Sequence, residues 1–85
     1  MYYTYVLYSQ WFNKIYVGFS GDLQNRLLAH NDPQNTGWTA QYQPWKIFYS
    51  EEYTTKSEAL IREKQLKTSR GRAFIWEMVN NKNKF

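Results

Sequence analysis

The sequence predicts an α+β fold in which a three-stranded sheet is backed by helices, in the order β-β-α-β-α-α. Three observations carry this reading. Three short runs are built from aromatic and β-branched residues, which fit a pleated surface better than a helix. Between and after them lie segments with helix-capping residues and apolar positions at helical spacing. The chain has 85 residues, enough for one hydrophobic core and too few for two.

The first strand is Tyr2-Tyr3-Thr4-Tyr5-Val6-Leu7-Tyr8. After a loop from Gln10 to Asn13, Lys14-Ile15-Tyr16-Val17-Gly18-Phe19 repeats the same chemistry, and the two runs read as an antiparallel hairpin. Side chains alternate faces along a strand. With Tyr5 opposite Tyr16 or Gly18, both phenols fall on one face, and a slip of one residue separates them. Ser20 reads as a helix N-cap, with Asp22 in the first turn where a carboxylate complements the helix dipole. Leu23, Arg26, Leu27 and His30 then follow at i, i+3, i+4 and i+7, a single stripe aimed at the core. Asn31 to Gln43 contains Pro, Gly and several amides and reads as an irregular connection, long enough to suggest a function.

The third strand, Trp45 to Glu52, starts after Pro44. Thr55 with Glu58 three residues on is a capping-box signature, and good helix formers continue through Lys67. In this helix Ala59, Leu60 and Leu66 surround Glu63. Ser69-Arg70-Gly71-Arg72 breaks the pattern, and Ala73 to Val79 reads as a short last helix with Phe74, Ile75 and Met78 on one face. Asn80 to Phe85 is a polar tail expected to fray. Residues 1–80 are therefore expected to form one domain, with 81–85 as its tail.

Composition narrows the function classes. Hydrophobic residues make up 42%, charged residues 21% and aromatic residues 20%, which excludes disordered and low-complexity classes. No run approaches the roughly 20 apolar residues of a membrane span, and no signal peptide is recognisable, so the expected setting is the cytoplasm. The absence of cysteine excludes disulfides, thiol nucleophiles, iron–sulfur clusters and thiolate zinc sites. A single histidine excludes multi-histidine metal sites. The net charge of +4 points to an anionic partner, and its distribution sharpens the point. Up to Tyr53 there are three basic and four acidic residues, whereas from Thr54 onward there are eight basic and three acidic. The bland reading of that segment is a solvated helix face.

Arg26, His30 and Glu63 occupy positions that periodicity assigns to the interior, where an unpaired charge costs several kcal/mol, on the order of 3–5. One reading is amphipathic: Arg26 snorkels, His30 bonds backbone and Glu63 pairs with Lys67. The other is a shared pocket in which these three meet Tyr5 and Tyr16. A carboxylate, a guanidinium, an imidazole and two phenols on a basic domain suit phosphodiester hydrolysis. The carboxylate holds a hydrated divalent cation, the guanidinium stabilises transition-state charge, and a phenol or imidazole relays the nucleophile's proton.

Tyr5, then Tyr16-Val17-Gly18, Arg26 and Glu63 at these intervals resemble the GIY-YIG endonuclease family. More narrowly, the chain resembles small single-domain proteins related to the N-terminal nuclease domain of the excision-repair excinuclease. Further hallmarks are Asp22-Leu23, His30-Asn31, Trp45 to Tyr49, and Ser57-Glu58-Ala59 leading to Arg62-Glu63-Lys64-Gln65-Leu66-Lys67. The resemblance implies a central three-stranded antiparallel sheet flanked by helices and a metal-dependent nuclease site, with DNA repair as a setting. By position it makes Tyr5, Tyr16, Arg26, His30 and Glu63 catalytic. The phenols orient water and phosphate, Arg26 stabilises transition-state charge, and Glu63 holds one Mg²⁺ or Mn²⁺. Lys67, Arg62, Arg70 and Arg72 are assigned to nucleic-acid binding on charge. Two departures stand out. The first motif reads Tyr3-Thr4-Tyr5, and Ile75 to Met78 fill the window where many members carry an asparagine, leaving Asn80 or Asn81 as substitutes.

Two functions follow as expectations. The first is a metal-dependent DNA endonuclease, structure-selective or repair-related, that draws DNA affinity from its basic segment, the 31–43 loop or an accessory DNA-binding protein. Trp38 or Trp11 would stack on unpaired bases, unless they serve only as loop anchors. The alternative is a non-catalytic nucleic-acid-binding or adaptor module with a vestigial pocket. Neither involves a membrane, and the oligomeric state is not encoded in any pattern.

Overall fold

The structure is a computed structural model that describes residues 1–82; residues 83–85, the end of the expected tail, lie outside it. The order is β1 (Tyr2–Ser9), β2 (Lys14–Ser20), α1 (Leu23–His30), a 3₁₀ turn (Trp38–Tyr42), β3 (Lys46–Tyr53), α2 (Lys56–Leu66) and α3 (Ser69–Lys82). The sheet is antiparallel throughout, with β1 in the centre and order β2-β1-β3. The expected α+β architecture is the one observed. Among the described residues no helix is long and apolar enough to cross a membrane.

β1 is covered on both faces, and Thr4 to Ser9 are all buried. The strand's alternation divides the interior in two. Val6 and Tyr8, with Ile15 and Val17 from β2, pack against Leu66 of α2 and Ile75 and Val79 of α3. Tyr5 and Leu7 point the other way, to Trp45 and the partly buried Leu23 and Leu27 of α1. The β1–β3 register shifts between Val6 and Leu7, where Val6 pairs with Tyr49 and Leu7 with Ile47. Phe48 is the extra residue of this bulge, so Phe48 and Tyr49 both pack on the α3 side while Ile47 joins the α1 side.

Most local signals are followed. Thr55 caps α2, and the reciprocal bonds of a capping box with Glu58 are present. The expected cap of α1 needs correction. Ser20 is the last residue of β2, and Asp22 is the N-cap, accepting from Asn25 N at 3.1 Å and from Asn25 Nδ2 at 2.8 Å. Asp22 prevails because its carboxylate has two acceptor oxygens, while the Ser20 hydroxyl is engaged with the backbone of Asp22.

The last helix also differs from expectation. It begins at Ser69 and runs through Lys82, so Ser69–Arg72 are helical and Asn80 to Lys82 do not fray. Its buried residues are Ile75 and Val79, with Phe74 exposed. Gly71 explains the apparent break. A Cβ there would lie 2.3 Å from the carbonyl oxygen of Gln65 and 2.4 Å from Leu66 Cα. The glycine is a contact point at which α3 crosses the end of α2, not a helix terminator. In an open helix Gly→Ala gains up to about 1 kcal/mol; here Gly71→Ala forces two backbones apart and is expected to destabilise by about 1–3 kcal/mol. Urea denaturation reads the sign directly, and an unchanged or raised midpoint would contradict the close crossing.

Candidate active site

Tyr5 sits opposite Gly18, and Tyr16 opposite Leu7 two places along. This is one of the registers that put both phenols on one face, and their ring centroids are 6.4 Å apart. A Cβ on Gly18 would stand 2.6 Å from the Tyr5 hydroxyl oxygen and 3.1 Å from Tyr16 Cε2. The missing side chain is the space the Tyr5 phenol occupies, so Gly18 sets the position of the buried tyrosine.

His30 ends α1 and turns its ring to the same place. Its Nε2 is hydrogen-bonded to the Tyr5 hydroxyl at 3.2 Å and its Nδ1 to Thr39 Oγ1 at 3.0 Å. Asn35 Nδ2 donates to the same Thr39 oxygen at 3.0 Å. A hydroxyl both donates and accepts, so this chain of contacts accommodates either neutral tautomer of His30. The Tyr16 ring stands 4.7 Å from the imidazole. The end of α1 is strapped down as well. Asn31 exchanges two hydrogen bonds with the backbone of Trp45, at 2.8 and 2.6 Å, and Gln43 Nε2 donates to the carbonyls of His30 and Asp32, each at 2.8 Å.

Above these groups lies a cleft of about 350 Å³, walled by Tyr16, Arg26, His30, Asn35, Trp38 and Thr39 among others. Arg26 is exposed at its mouth, which corrects the expectation that its position is interior. The reason is that α1 has no fully buried residue, so it stands off the sheet and leaves an opening. Tyr5, 1% exposed, does not line the cleft but lies behind its wall, bonded to His30.

The charges of Arg26 and Glu63 both act on this buried phenol. Burial pushes the Tyr5 phenol far above its ordinary range, and Tyr16 pushes it the same way; Arg26 opposes the shift and the Glu63 carboxylate adds to it. Tyr5 is therefore a neutral phenol that feels both ionic partners. Burial, and then the positive charge of Arg26, hold His30 below its usual value, so the imidazole is uncharged at neutral pH.

Glu63 comes from α2, between the buried Ala59 and Leu66. Its side chain is 15% exposed, and Lys67 Nζ lies 3.6 Å away. The pairing expected under the amphipathic reading thus exists, alongside the reach of the Glu63 charge to Tyr5. No group of three His, Asp or Glu side chains that could hold a metal ion occurs among the described residues. One sheltered carboxylate does fit a hard, largely hydrated ion such as Mg²⁺, which takes one or two carboxylates and keeps several waters. It does not fit a dehydrated all-protein cage. In the window of the family asparagine, Ile75 is buried and Trp76 packs edge-on against Tyr8 at 6.5 Å. Asn80 and Asn81 are exposed on the last turn of α3.

The four basic residues divide. Arg62 forks onto Glu51, with Nε and Nη2 at 2.8 and 3.1 Å, and Glu51 also accepts the hydroxyls of Tyr49 and Tyr53. Burial alone would raise the Glu51 carboxyl, but bonds from Arg62, Tyr49 and Tyr53 hold it below its usual range. Lys67 is half exposed beside Glu63. Arg70 and Arg72 are exposed in the first turn of α3. Thr39 and Asn35, which orient His30, carry no distinguishing mark in the sequence. The length of their loop is the only signal there, since a threonine buried in an irregular segment has no periodicity to reveal it.

His30 is the sole histidine, so one imidazole resonance reports its titration. Its midpoint is expected below 6.5 and should rise in Arg26→Ala. The sign for stability follows from linkage: the unfolded imidazole takes a proton first, so stability drops as pH falls below 6.5 and levels once the folded ring is also protonated. Melting temperatures of the wild type and His30→Gln across this range test it, with a flatter profile expected in the variant.

The profile of the GIY-YIG catalytic domain matches residues 1–77. A UPF0213 protein of Staphylococcus epidermidis is 41% identical over 54 residues, covering 64% of this chain and 66% of the relative. One from Staphylococcus saprophyticus is 39% identical over 54 residues with the same shares, and one from Bacillus pumilus 37% identical over 54 residues, covering 64% of this chain and 55% of the relative. The chain thus spans just under two thirds, or less, of the length of these curated relatives. No solved structure matches. With the profile covering nearly all of the chain, the chain belongs to the GIY-YIG catalytic domain family.

Proposed function

We propose that this chain is a divalent-metal-dependent DNA endonuclease that hydrolyses phosphodiester bonds and acts in the cytoplasm on structured or damaged DNA. The observation that carries the reading is that Tyr16, Arg26 and His30 wall one cleft, His30 is bonded to the buried Tyr5, and the charges of Arg26 and Glu63 both act on that phenol. Each group has a role that its surroundings support. Arg26, exposed at the mouth, binds the scissile phosphate and meets the charge that grows on it in the transition state. Tyr16, partly exposed beside the imidazole, orders the attacking water. His30 is kept neutral and is therefore able to take a proton from that water. Tyr5 and Thr39 hold the imidazole from either side, and Tyr5 remains protonated while doing so.

Glu63 would hold the metal, which when bound supplies positive charge at the phosphate and a more acidic water. Lys67 can leave Glu63 for solvent without desolvation cost because it is half exposed. Lys67, Arg70 and Arg72 add sequence-independent attraction to phosphates, and an accessory DNA-binding protein would add affinity. Arg62, neutralised by Glu51, adds less. The alternative reading, a non-catalytic binding module, is favoured by one feature: the Ile75–Met78 stretch serves the core and offers no amide to the site.

Nicking of supercoiled plasmid and branched DNA with and without Mg²⁺ or Mn²⁺ distinguishes the two. Arg26→Ala is expected to lower kcat by about 10²–10³-fold. Glu63→Gln should abolish metal-stimulated cleavage while DNA binding persists. Binding by the wild type with no metal-dependent nicking would instead establish the module.

A further inference from the structure

The cleft continues into a line of aromatic rings. Tyr16 lies against Trp38 with centroids 6.5 Å apart and planes inclined by 29°. Trp38 stands 4.8 Å from Tyr42, and Tyr42 stands 5.6 Å from Phe12 in the β1–β2 loop. The later pairs are inclined by 56° and 72°, so the row turns from ring to ring and is not one continuous stack. Trp38 is 47% exposed and Phe12 49%, with Trp11 beside it at 82%. Exposed large rings such as Trp38, Phe12 and Trp11, joined here by the half-buried Tyr16 and Tyr42, are unusual for so small a domain, in which large aromatics are the natural filling of the core.

Trp38 is supported from behind. Trp45 backs Trp38 at 6.0 Å and is itself anchored by its indole bond to the Thr39 carbonyl at 2.8 Å and by Asn31. Positive charge accompanies the row. Lys14 Nζ lies 5.4 Å from the centre of the Tyr42 ring, and Arg26 stands at the cleft end. Exposed aromatic rings with cations nearby match a polymer that offers a flat base and a phosphate at each step. A duplex hides its base faces in its own stack, whereas an unpaired strand presents them. Resting on the nuclease reading above, we infer that the path Tyr16–Trp38–Tyr42–Phe12 binds an unpaired DNA strand and leads it to the scissile phosphate. The substrate class is then DNA in which a single-stranded segment adjoins the cut, such as a flap, a gap or a free end.

The test uses the full chain without divalent ion, so that nothing is cut. Three labelled probes are titrated: an oligothymidylate, a duplex of equal length, and a strand of equal length and charge in which abasic residues replace the bases. The wild type is expected to bind oligothymidylate about tenfold or more tightly than the abasic strand, with quenching of tryptophan fluorescence. Trp38→Leu and Phe12→Leu should each bring the ratio between these two strands towards one. Equal affinity of the wild type for the base-bearing and abasic strands overturns the inference, and needs no variant to fold. Full base preference retained in both variants also overturns it, because stacking would then lie elsewhere. The nicking assay separates the two readings. Metal-dependent cleavage without base preference removes the strand path alone, whereas base preference lost in the variants supports the path even if no cleavage occurs.

Discussion

The central strand β1 constrains everything else in this molecule. Thr4 to Ser9 are buried on both sides, so the strand's two-residue period divides its side chains between two unlike environments. Thr4, Val6 and Tyr8 serve the side of α2 and α3, where the Thr4 hydroxyl donates to the Ala59 carbonyl at 2.7 Å. Tyr5 and Leu7 serve the side of α1, where Tyr5 meets His30. A slip of one residue would turn Tyr5 into the helical core and take its hydroxyl away from His30. Core packing and site geometry are therefore fixed by the same pairing, and neither can drift without the other.

The two faces differ in how completely they close. On the α3 side, Leu66, Ile75 and Val79 are each no more than 1% exposed. On the α1 side the helix keeps no fully buried residue. A domain of this size has little stability to spare, and leaving one helix standing off the sheet forgoes apolar burial. What the opening provides is access to Arg26 and His30. The Arg62–Glu51 pair shows the contrast within one chain: a guanidinium bonded by a carboxylate and surrounded by tyrosines is structural, while the guanidinium at the cleft mouth has no protein anion among the described residues within ion-pair distance.

Much of this is legible in the residues because it depends on local chemistry. The strands follow from β-branched and aromatic runs, the hairpin from their spacing, and the start of α2 from the Thr55–Glu58 box. The shared face of Tyr5 and Tyr16 follows from strand period alone, once one of two registers is allowed. What escapes a sequence reading depends on contacts distant along the chain. Gly71 resembles a helix breaker because its reason, the backbone of Gln65 and Leu66, is visible only once α2 and α3 cross. The Phe48 bulge and the 3₁₀ turn at Trp38–Tyr42 are unmarked for the same reason. Arg26 reads as inward because periodicity locates a helix face without saying how closely that face approaches its neighbour.

The double hydrogen bond between Asn31 and Trp45 joins residues fourteen positions apart. It closes the intervening segment at its base, much as a clasp closes a bracelet. Because the closure entropy of such a segment grows only slowly with its length, residues could be added or removed inside the clasp at little thermodynamic cost. Such changes would have to spare Asn35, Trp38, Thr39 and Gln43, through which the segment itself shapes the cleft and holds His30. Variation at the segment's remaining positions would thus reshape the outer wall of the cleft while the pairing of β1 and β2 stays fixed, giving the small domain an evolvable part.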